Sequence, residues 1–242
     1  MSGGPELPPA FRGRQLVVFD LDGTLYRQGP LRRRMAALLV ADMLRRRDAS
    51  TFRILRDYRR RREALADAGT AAFDPVLVEG CARACDVGPQ EVRSVVAEWI
   101  DRRPLCVLPR CILPGARELV AALRARGVRV AVWSDYPVRE KLAALGIEAD
   151  DAVSAADPEL DVMKPDPKGL GILMARCGAT AAGTLMVGDR EERDGRAARA
   201  LGVDFLLRSD RARPGTPGAI RDYRPASLSA ARVAEPGRAP AP

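Results

Sequence analysis

The stretch QLVVFDLDGTL, at residues 15–25, constrains the fold of this chain more than any other. Its apolar run Leu16–Phe19 is too short for a helix and is bounded by turn residues, so it predicts a buried β-strand. Asp20 and Asp22 follow directly, and two carboxylates there are costly unless a cation or a substrate compensates them. Because ligands of open α/β sheets bind at this edge, both are candidates for metal binding and for the chemical step. The alternative is a strand that runs into an Asp-Gly turn.

Strand and helix patterns alternate along much of the chain. Further short apolar runs predict strands at 128–133, 151–154, 184–187 and 203–207, separated by helical patterns. This alternation is typical of βαβ units, so we expect an α/β fold with a mostly parallel sheet.

The segments around this core differ from it in composition. Residues 27–111 carry amphipathic helix patterns and no strand pattern, which predicts an inserted helical unit. Residues 1–14 are rich in Pro and Gly and lack a basic region followed by an apolar run, which predicts a disordered lead rather than a secretory signal. Residues 209–242 are dominated by Arg, Pro, Gly, Ala and Ser, which predicts a disordered tail.

Composition narrows the possible chemistry. The 242 residues are 47% apolar, but they contain no run of about 18 apolar residues, so no membrane span is expected. The chain has five unevenly spaced cysteines and no histidine, which argues against a structural zinc site and excludes histidine-based acid–base chemistry. Reduced thiols favour a cytoplasmic location. Catalysis would therefore depend on carboxylates, lysine, hydroxyls and metal.

Polar residues also follow the later predicted strands. Ser134 ends one strand, Lys164 lies in a loop before a helix, Asp189 follows another strand, and Asp194 comes shortly after it. Each alone has an ordinary explanation as a helix cap, a turn residue or a solvated lysine. Together they describe a phosphate site, with acids for one metal ion and a hydroxyl and an ammonium for phosphate oxygens.

The chain resembles the haloacid dehalogenase-like (HAD) hydrolases in four motifs that occur in the family's order. They read DLDGTL at 20–25, VWSD at 132–135, KPD at 164–166 and GDREERD at 188–194. The resemblance covers residues 15–208 and implies a Rossmann-like, doubly wound core over 15–26 and 112–208. It also implies that residues 27–111 form a helical cap of the C1 type, inserted between the first two motifs.

The resemblance implies a catalytic pair and a magnesium site. Asp20 would be the nucleophile that forms an aspartyl-phosphate. Asp22 would be the general acid for the leaving alcohol and then the general base for water, which suits a carboxyl whose surroundings raise its pKa. Mg²⁺ would be held by Asp20, the Asp22 carbonyl and Asp189, with Asp194 bound directly or through water.

The resemblance also implies how the phosphoryl group would be held. Ser134, the backbone amide of Asp135 and Lys164 would bind its oxygens. The family often has Asn where this chain has Asp135, so a further negative charge lies near the phosphate. Since the backbone would make the contact, we expect this difference to do little harm.

Arginine is concentrated in the predicted cap. The chain has a net charge of +8, and residues 27–110 hold eighteen arginines and no lysine against eleven acidic residues, an excess of +7. This favours an anionic leaving group, such as a sugar phosphate, a nucleotide or a carboxylated metabolite, because Arg pairs well with phosphate and carboxylate. The alternative is that the arginine blocks at 32–34, 45–47 and 59–62 are solvated helix faces.

The leading prediction is a Mg²⁺-dependent phosphoric monoester hydrolase of a small phosphorylated metabolite. A phosphomutase would use the same aspartyl-phosphate and return the phosphate to a second hydroxyl. A protein that binds nucleic acid or an acidic partner through the arginine-rich segment is the alternative from another class. It is disfavoured because aromatic residues are few there and the acids, hydroxyl and lysine would be unexplained. A 2-haloacid dehalogenase is disfavoured by Asp22 and by the metal acids, and the oligomeric state is left open.

Overall fold

The chain folds around one parallel β-sheet, as described by a computed structural model over residues 6–229 and 231–233. The strands are β1 (Leu16–Phe19), β2 (Arg129–Ser134), β3 (Asp151–Ser154), β4 (Thr184–Gly188), β5 (Asp204–Arg208) and β6 (Ala219–Ile220). Their order in the sheet is β3-β2-β1-β4-β5-β6, and each neighbouring pair is parallel. The predicted α/β class with a mostly parallel sheet is confirmed.

β1 lies inside the sheet and is buried on both of its faces. Leu16 and Val18 belong to one cluster of buried apolar side chains, together with Trp133 of β2. Val17 and Phe19 belong to the cluster on the opposite face. This explains the continuous apolar run in the sequence, because a strand between two helix layers has no solvent-facing side.

Residues 27–111 form helices and no strand between β1 and the rest of the sheet. The helices are α1 (Gln28–Arg46), α2 (Ser50–Asp67), α3 (Phe73–Cys85), α4 (Pro89–Val96) and α5 (Arg103–Leu105), with a π-helical turn Ala97–Arg102 before α5 and a 3₁₀ turn Leu108–Arg110 after it. They pack around a separate apolar cluster that includes Ile54, Leu77 and Trp99. The two ends of this helical insertion meet beside the sheet, where Tyr26 and Ile112 form an isolated bridge.

The remaining helices cover both faces of the sheet. They are α6 (Ala116–Arg124), α7 (Arg139–Leu145), α8 (Lys168–Cys177) and α9 (Arg196–Ala200), with a π-helical turn Glu191–Gly195 before α9. Apolar residues of α6 and α7 join the cluster around Phe19, whereas those of α8 and α9 join the cluster around Trp133. The doubly wound arrangement is therefore confirmed.

The segment after β5 is ordered, in contrast to the predicted disordered tail. It contains β6 and α10 (Pro225–Leu228). Tyr223 is buried, its ring centroid lies 6.0 Å from that of Phe19, and its hydroxyl donates to the Thr24 carbonyl at 2.9 Å. The prediction of disorder is therefore wrong for the described part of 209–233. A few irregularly spaced side chains hold the segment against the sheet, and they give no periodic pattern in the sequence. Residue 230 and residues 234–242 lie outside the described residues.

The lead before β1 also packs against the sheet. Pro9–Phe11 form a 3₁₀ turn, and Phe11 is fully buried in the same apolar cluster as Phe19. The predicted disordered lead is wrong for residues 7–14, since one buried aromatic among Pro and Gly gives no periodic signal. Residues 1–5 of that predicted lead lie outside the described residues.

Two predictions from composition can be compared with the structure. Over residues 6–229 and 231–233, no helix combines the length and the apolar character that crossing a membrane requires. The five cysteines are free thiols, and no disulfide joins them.

Candidate active site

The carboxyl ends of β1, β2 and β4 bring the predicted site residues together. β1 pairs with both β2 and β4 in parallel, and Phe19 is the last residue of β1 in each register. Asp20 follows β1, Ser134 ends β2 and Asp189 follows β4. The chain positions these side chains at one edge because parallel strands end at the same side of a sheet.

Lys164 lies at the centre of this group, in the loop between β3 and α8. Its Nζ is buried and donates to Asp20 Oδ1 at 2.6 Å and to the Trp133 carbonyl at 2.9 Å. The same Nζ lies 2.8 Å from Asp194 Oδ1, without the geometry of a hydrogen bond. Burial acts to lower the pKa of Lys164. The charges of Asp194 and Asp20 outweigh this effect and raise the pKa above its ordinary value. A permanent positive charge is therefore held between two carboxylates.

Asp20, Asp189 and Asp194 form a compact carboxylate cluster, with one oxygen of each within 4.8 Å of the others. Burial and the neighbouring carboxylates, partly offset by Lys164, raise the pKa of Asp20 to about 7 and that of Asp189 to about 8. One ammonium does not compensate three acids, so the cluster lacks positive charge. Hard oxygen donors at this spacing are the ligands that Mg²⁺ prefers, and these residues fit the metal that the resemblance implies.

Two glycines allow the carboxylates to approach the backbone closely. A Cβ added to Gly23, whose φ is +103°, would overlap the Asp189 carboxylate. A Cβ added to Gly188 would overlap the side chain of Asp194. Any larger residue at either position would push a carboxylate out of the cluster.

Asp22 has a different set of partners from the cluster. Lys141 Nζ donates to its two oxygens at 2.8 and 3.1 Å, Ser134 Oγ donates to Oδ2 at 3.1 Å, and the Tyr26 hydroxyl donates to Oδ1. Burial acts to raise the pKa of Asp22, but these partners, Lys141 foremost, lower it below its ordinary value. This differs from the expected carboxyl with a raised pKa. The Asp22 carbonyl, a predicted metal ligand, accepts a hydrogen bond from Gln28 Nε2 at 2.6 Å.

The other predicted phosphate ligands also have partners. Ser134 Oγ accepts from the Tyr136 amide at 3.1 Å while it donates to Asp22. The Asp135 carboxylate accepts from the backbone N–H of Lys164 at 3.0 Å. The Asp135 side chain thereby fixes the loop that carries Lys164.

Sequence reasoning missed Lys141 and Tyr26, the additional partners of Asp22. Neither residue lies in a motif, and Lys141 comes from a helix that carried no predicted role. A signal was nevertheless present, because just three of the forty Lys and Arg residues are lysines, at positions 141, 164 and 168. Two of these three form ion pairs in the site. In a chain that otherwise uses arginine, the few lysines are therefore candidates for positions that need a compact ammonium.

A cavity of about 830 Å³ opens between the carboxylates and the helical insertion. The insertion lines it with residues 28, 31, 32, 35, 36 and 39 of α1 and 52, 55, 56, 59, 62, 63 and 66 of α2. Spacings of three and four residues mean that each helix turns one face toward the cavity. The site is therefore built jointly by the sheet edge and the insertion.

Charged contacts join the insertion to the sheet beside this cavity. The buried guanidinium of Arg193 donates to the Lys164 carbonyl at 2.7 Å, to Asp67 Oδ1 at 2.6 Å and to Glu63 Oε2 at 3.0 Å. Arg190 also pairs with Glu63, at 3.2 Å. Because Glu63 and Asp67 belong to α2, these contacts fix α2 over the loop that carries Lys164.

Comparison with known proteins gives matches over most of the chain. A family model described as haloacid dehalogenase-like hydrolase matches residues 15–202. The chain is 31% identical over 206 residues to a phosphoglycolate phosphatase of Rhodospirillum rubrum, covering 80% of this chain and 78% of that protein. It is 29% identical over 177 residues to a phosphoserine phosphatase of Thermus thermophilus, covering 72% of this chain but 63% of that protein. A 2-haloacid dehalogenase from Pseudomonas syringae pv. tomato has a TM-score of 0.60 at 19% identity, covering 87% of this chain and 95% of that chain.

The parallel sheet and the acidic cluster at its carboxyl edge define an α/β protein with a candidate metal-dependent active site. The chain belongs to the haloacid dehalogenase-like hydrolase family. Within that family it is a phosphatase-type enzyme, in line with its two relatives by sequence. The likeness to the dehalogenase, at its lower identity, shows the shared fold alone.

Proposed function

We propose that this protein is a Mg²⁺-dependent phosphatase that hydrolyses a small phosphorylated metabolite through an aspartyl-phosphate on Asp20. The observation that carries the proposal is the cluster of Asp20, Asp189 and Asp194 around Lys164, at one side of a cavity large enough for a metabolite. Three acids and one ammonium leave a negative charge that a divalent cation would neutralise. When bound, Mg²⁺ would keep Asp20 ionised and shield it from the charge of the phosphate.

In the first half of the reaction, an oxygen of Asp20 attacks phosphorus and the ester P–O bond breaks. Lys164 holds Oδ1 of Asp20, and Thr24 Oγ1 donates to Oδ2 at 2.9 Å, so the carboxylate is oriented before substrate binds. Asp22 gives its proton to the leaving alkoxide. A phosphate beside Asp22 raises the pKa of that carboxyl from its low value in the free protein, because the two negative charges repel.

In the second half, water attacks the phosphorus of the aspartyl-phosphate and the bond to Asp20 breaks. Asp22, now a carboxylate, takes the proton of the water, and Lys141 and Tyr26 stabilise its ionised form. Ser134 and Lys164 bind the phosphoryl oxygens through both halves, together with the backbone amide of residue 135.

We further propose that residues 27–111 act as a cap over the reacting phosphate. One face of α1 and one face of α2 line the cavity, and Arg193 ties α2 to the Lys164 loop. A cap in this position excludes water from the reacting atoms and supplies the contacts to the leaving group. Phosphoglycolate and phosphoserine, the compounds in the names of the two relatives, are the first substrates to test.

The test is phosphate release from a panel of phosphorylated metabolites, with Mg²⁺ and with EDTA. We expect release that needs Mg²⁺ and falls by about a thousandfold or more in Asp20→Asn, since the nucleophile is lost. Glu118→Gln, which changes an exposed acid on α6, is the matched control and should keep full activity. Release that persists in Asp20→Asn or in EDTA would refute the proposal, and transfer of phosphate to a second hydroxyl would identify a phosphomutase instead.

A further inference from the structure

Three arginines of the cap line the cavity without a partner of opposite charge. They are Arg32 of α1 and Arg56 and Arg59 of α2. Within the described part of the chain, none of the three forms a hydrogen bond or an ion pair with an acid. Their charges therefore face the cavity without an ion pair to neutralise them.

The other basic residues around this cavity are already engaged. Lys141 pairs with Asp22, Lys164 with Asp20, and Arg190 and Arg193 pair with Glu63. Arg62 lies over the ring of Tyr136, with its guanidinium carbon 4.3 Å from the ring centroid. Among the residues that line the cavity, positive charge without an acidic partner is therefore confined to these three arginines and to the buried Arg62, whose guanidinium donates to the Asp135 carbonyl.

Elsewhere on α1 and α2, some arginines pair within their own helix. Arg45 and Arg46 pair with Asp42, and Arg60 and Arg61 pair with Asp57. The structure thus divides the arginines of the two helices into paired side chains, unpaired side chains that point away from the cavity, and a small unpaired set on the cavity. Exposed arginines such as Arg33 and Arg53 do not line the cavity and provide controls.

The unpaired arginines lie nearer to solvent than the nucleophile. Asp20 is buried, whereas Arg32, Arg56 and Arg59 are exposed. The same helix faces also carry apolar side chains onto the cavity wall: Leu31, Met35, Leu39, Phe52 and Leu55. A ligand that reaches from Asp20 to the arginines would therefore pass an apolar wall.

We infer that the substrate is an extended phosphomonoester whose leaving group has an apolar portion and ends in a second anionic group held by Arg32, Arg56 and Arg59. This inference rests on the proposed function. Guanidinium groups bind carboxylate and phosphate in a paired, planar geometry, so an anion of either kind suits the site. A cavity of about 830 Å³ exceeds what a two-carbon phosphate such as phosphoglycolate would fill.

The test uses two matched series of synthetic esters. One is a series of alkyl phosphates of increasing length, and the other has the same chains ending in a carboxylate, beginning with phosphoglycolate. The value of kcat/KM is measured with Mg²⁺ for the wild type, for Arg32→Ala and for the double variant Arg56→Ala/Arg59→Ala. Arg33→Ala and Arg53→Ala, on the same two helices, are the controls. Circular dichroism and thermal unfolding verify that each variant is folded.

We expect the carboxylate to raise kcat/KM in the longer esters of the wild type. The double variant should lower kcat/KM for these esters by about tenfold to a hundredfold, because a charged hydrogen-bonding partner is lost. Its kcat/KM for the alkyl esters should change by less than about twofold. The controls should leave both series unchanged.

Equal values for each matched pair in the wild type would overturn the inference while leaving the phosphatase intact. Variants that weaken both series alike would also overturn it, because such a loss reflects the shape of the cap rather than recognition of an anion. If neither series released phosphate, the proposed function and this inference would fail together. Mg²⁺-dependent release from the alkyl esters shows that the proposed function holds. If such release occurs without a preference for the carboxylate esters, the inference alone has failed.

Discussion

At the level of single residues, the ion pair of Asp22 and Lys141 would set the protonation of Asp22 in the proposed mechanism. Lys141 holds both oxygens of Asp22 and is the main reason that the pKa of this carboxyl is low despite burial. The ion pair favours the ionised form of Asp22, which in the proposed mechanism accepts a proton from water. The negative charge of the bound substrate favours the protonated form of Asp22 instead. In the proposed mechanism, Asp22 thus has different protonation states before and after phosphate binds.

Lys141→Met should shift the pH dependence of the reaction to higher pH. Without Lys141, burial dominates and the pKa of Asp22 rises. Asp22 acts as an acid in the first half and as a base in the second, so the basic limb of kcat/KM and the acidic limb of kcat should both move upward. Both profiles are measured across the neutral range.

Lys168→Met is the matched control for this experiment. Lys168 is the remaining lysine of the chain, and its Nζ donates to the Leu160 carbonyl rather than to a site residue. Its pH profiles should coincide with those of the wild type. Unchanged limbs in Lys141→Met would show that Lys141 does not set the protonation of Asp22.

The central acids of the site could be predicted from sequence, whereas their partners could not. Asp20 and Asp22 are neighbours in the chain and follow a recognisable strand, so their proximity is a local property. Lys141 lies 119 residues from Asp22 and reaches it through the packing of α7 beside the sheet. Tyr26 lies close to Asp22 in sequence, but its hydroxyl direction depends on the turn that leads into the cap. Contacts of this kind depend on the folded structure and are not visible in the sequence.

At the level of elements, the last residue of β5 and the segment after it support the loop that carries the proposed nucleophile. The buried Arg208 donates to the Gly23 carbonyl at 3.0 Å, and Tyr223 donates to the Thr24 carbonyl at 2.9 Å. Thr24 in turn donates to Asp20. The C-terminal segment is therefore connected to Asp20 through two successive hydrogen bonds.

Tyr223→Phe should lower the free energy of unfolding by about 1–3 kcal/mol, because the buried Thr24 carbonyl loses its partner while the ring still packs on Phe19. Urea unfolding followed by circular dichroism measures the change. Ser229→Ala, an exposed change in the same segment, should alter it by less than about 0.5 kcal/mol. Equal stability of Tyr223→Phe and the wild type would mean that this bond does not support the loop.

The order of this segment was not predictable because its signal is tertiary. β6 has two residues, and α10 has four, which is too short for a helical or an alternating pattern to be visible. The backbone of Tyr223 also approaches Gly115 so closely that a Cβ there would overlap it. By contrast, β1 to β5 were predicted to within about two residues, because most of them centre on an apolar run in a sheet that is covered on both faces.

At the level of the whole molecule, stability is coupled to pH and metal through the acidic cluster. Without a metal, the folded protein holds protons on Asp20 and Asp189 that the unfolded chain releases at lower pH. The stability that these protons contribute is therefore lost as pH rises from about 4 to about 8. In the proposed function Mg²⁺ binds the deprotonated carboxylates, so its stabilising effect should grow over the same range.

Thermal unfolding in Mg²⁺ and in EDTA tests this coupling. The difference in Tm between the two conditions should be larger at about pH 8.5 than at about pH 5.5, since protons compete with the metal at the lower pH. A gain of about 1 kcal/mol corresponds to about 2–4 °C in a chain of this size. Asp189→Asn should reduce the difference, and Glu118→Gln should preserve it. A Tm difference that does not depend on pH would place metal binding outside this cluster.

The arrangement of the whole molecule also shows which arginines of the cap face the cavity, a point that the sequence leaves open. The arginine excess was visible in composition, but two explanations remained for each block. Folding separates them, because Arg60 pairs with Asp57 while Arg59, its neighbour in the chain, lines the cavity. Which side of a helix faces a cavity depends on how the cap sits against the sheet, and the helical period alone does not specify that.

The measurement that tests the central claim most directly is chemical trapping of the covalent intermediate. The enzyme is mixed with Mg²⁺ and a substrate that it hydrolyses, and the reaction is quenched rapidly in acid. Reduction with borohydride then converts a phosphorylated aspartate to homoserine. We expect homoserine at position 20 in the peptides of the wild type and of Glu118→Gln, and none in Asp20→Asn. Phosphate release with an unmodified Asp20, or modification of another carboxylate, would contradict the assignment of Asp20 as the nucleophile.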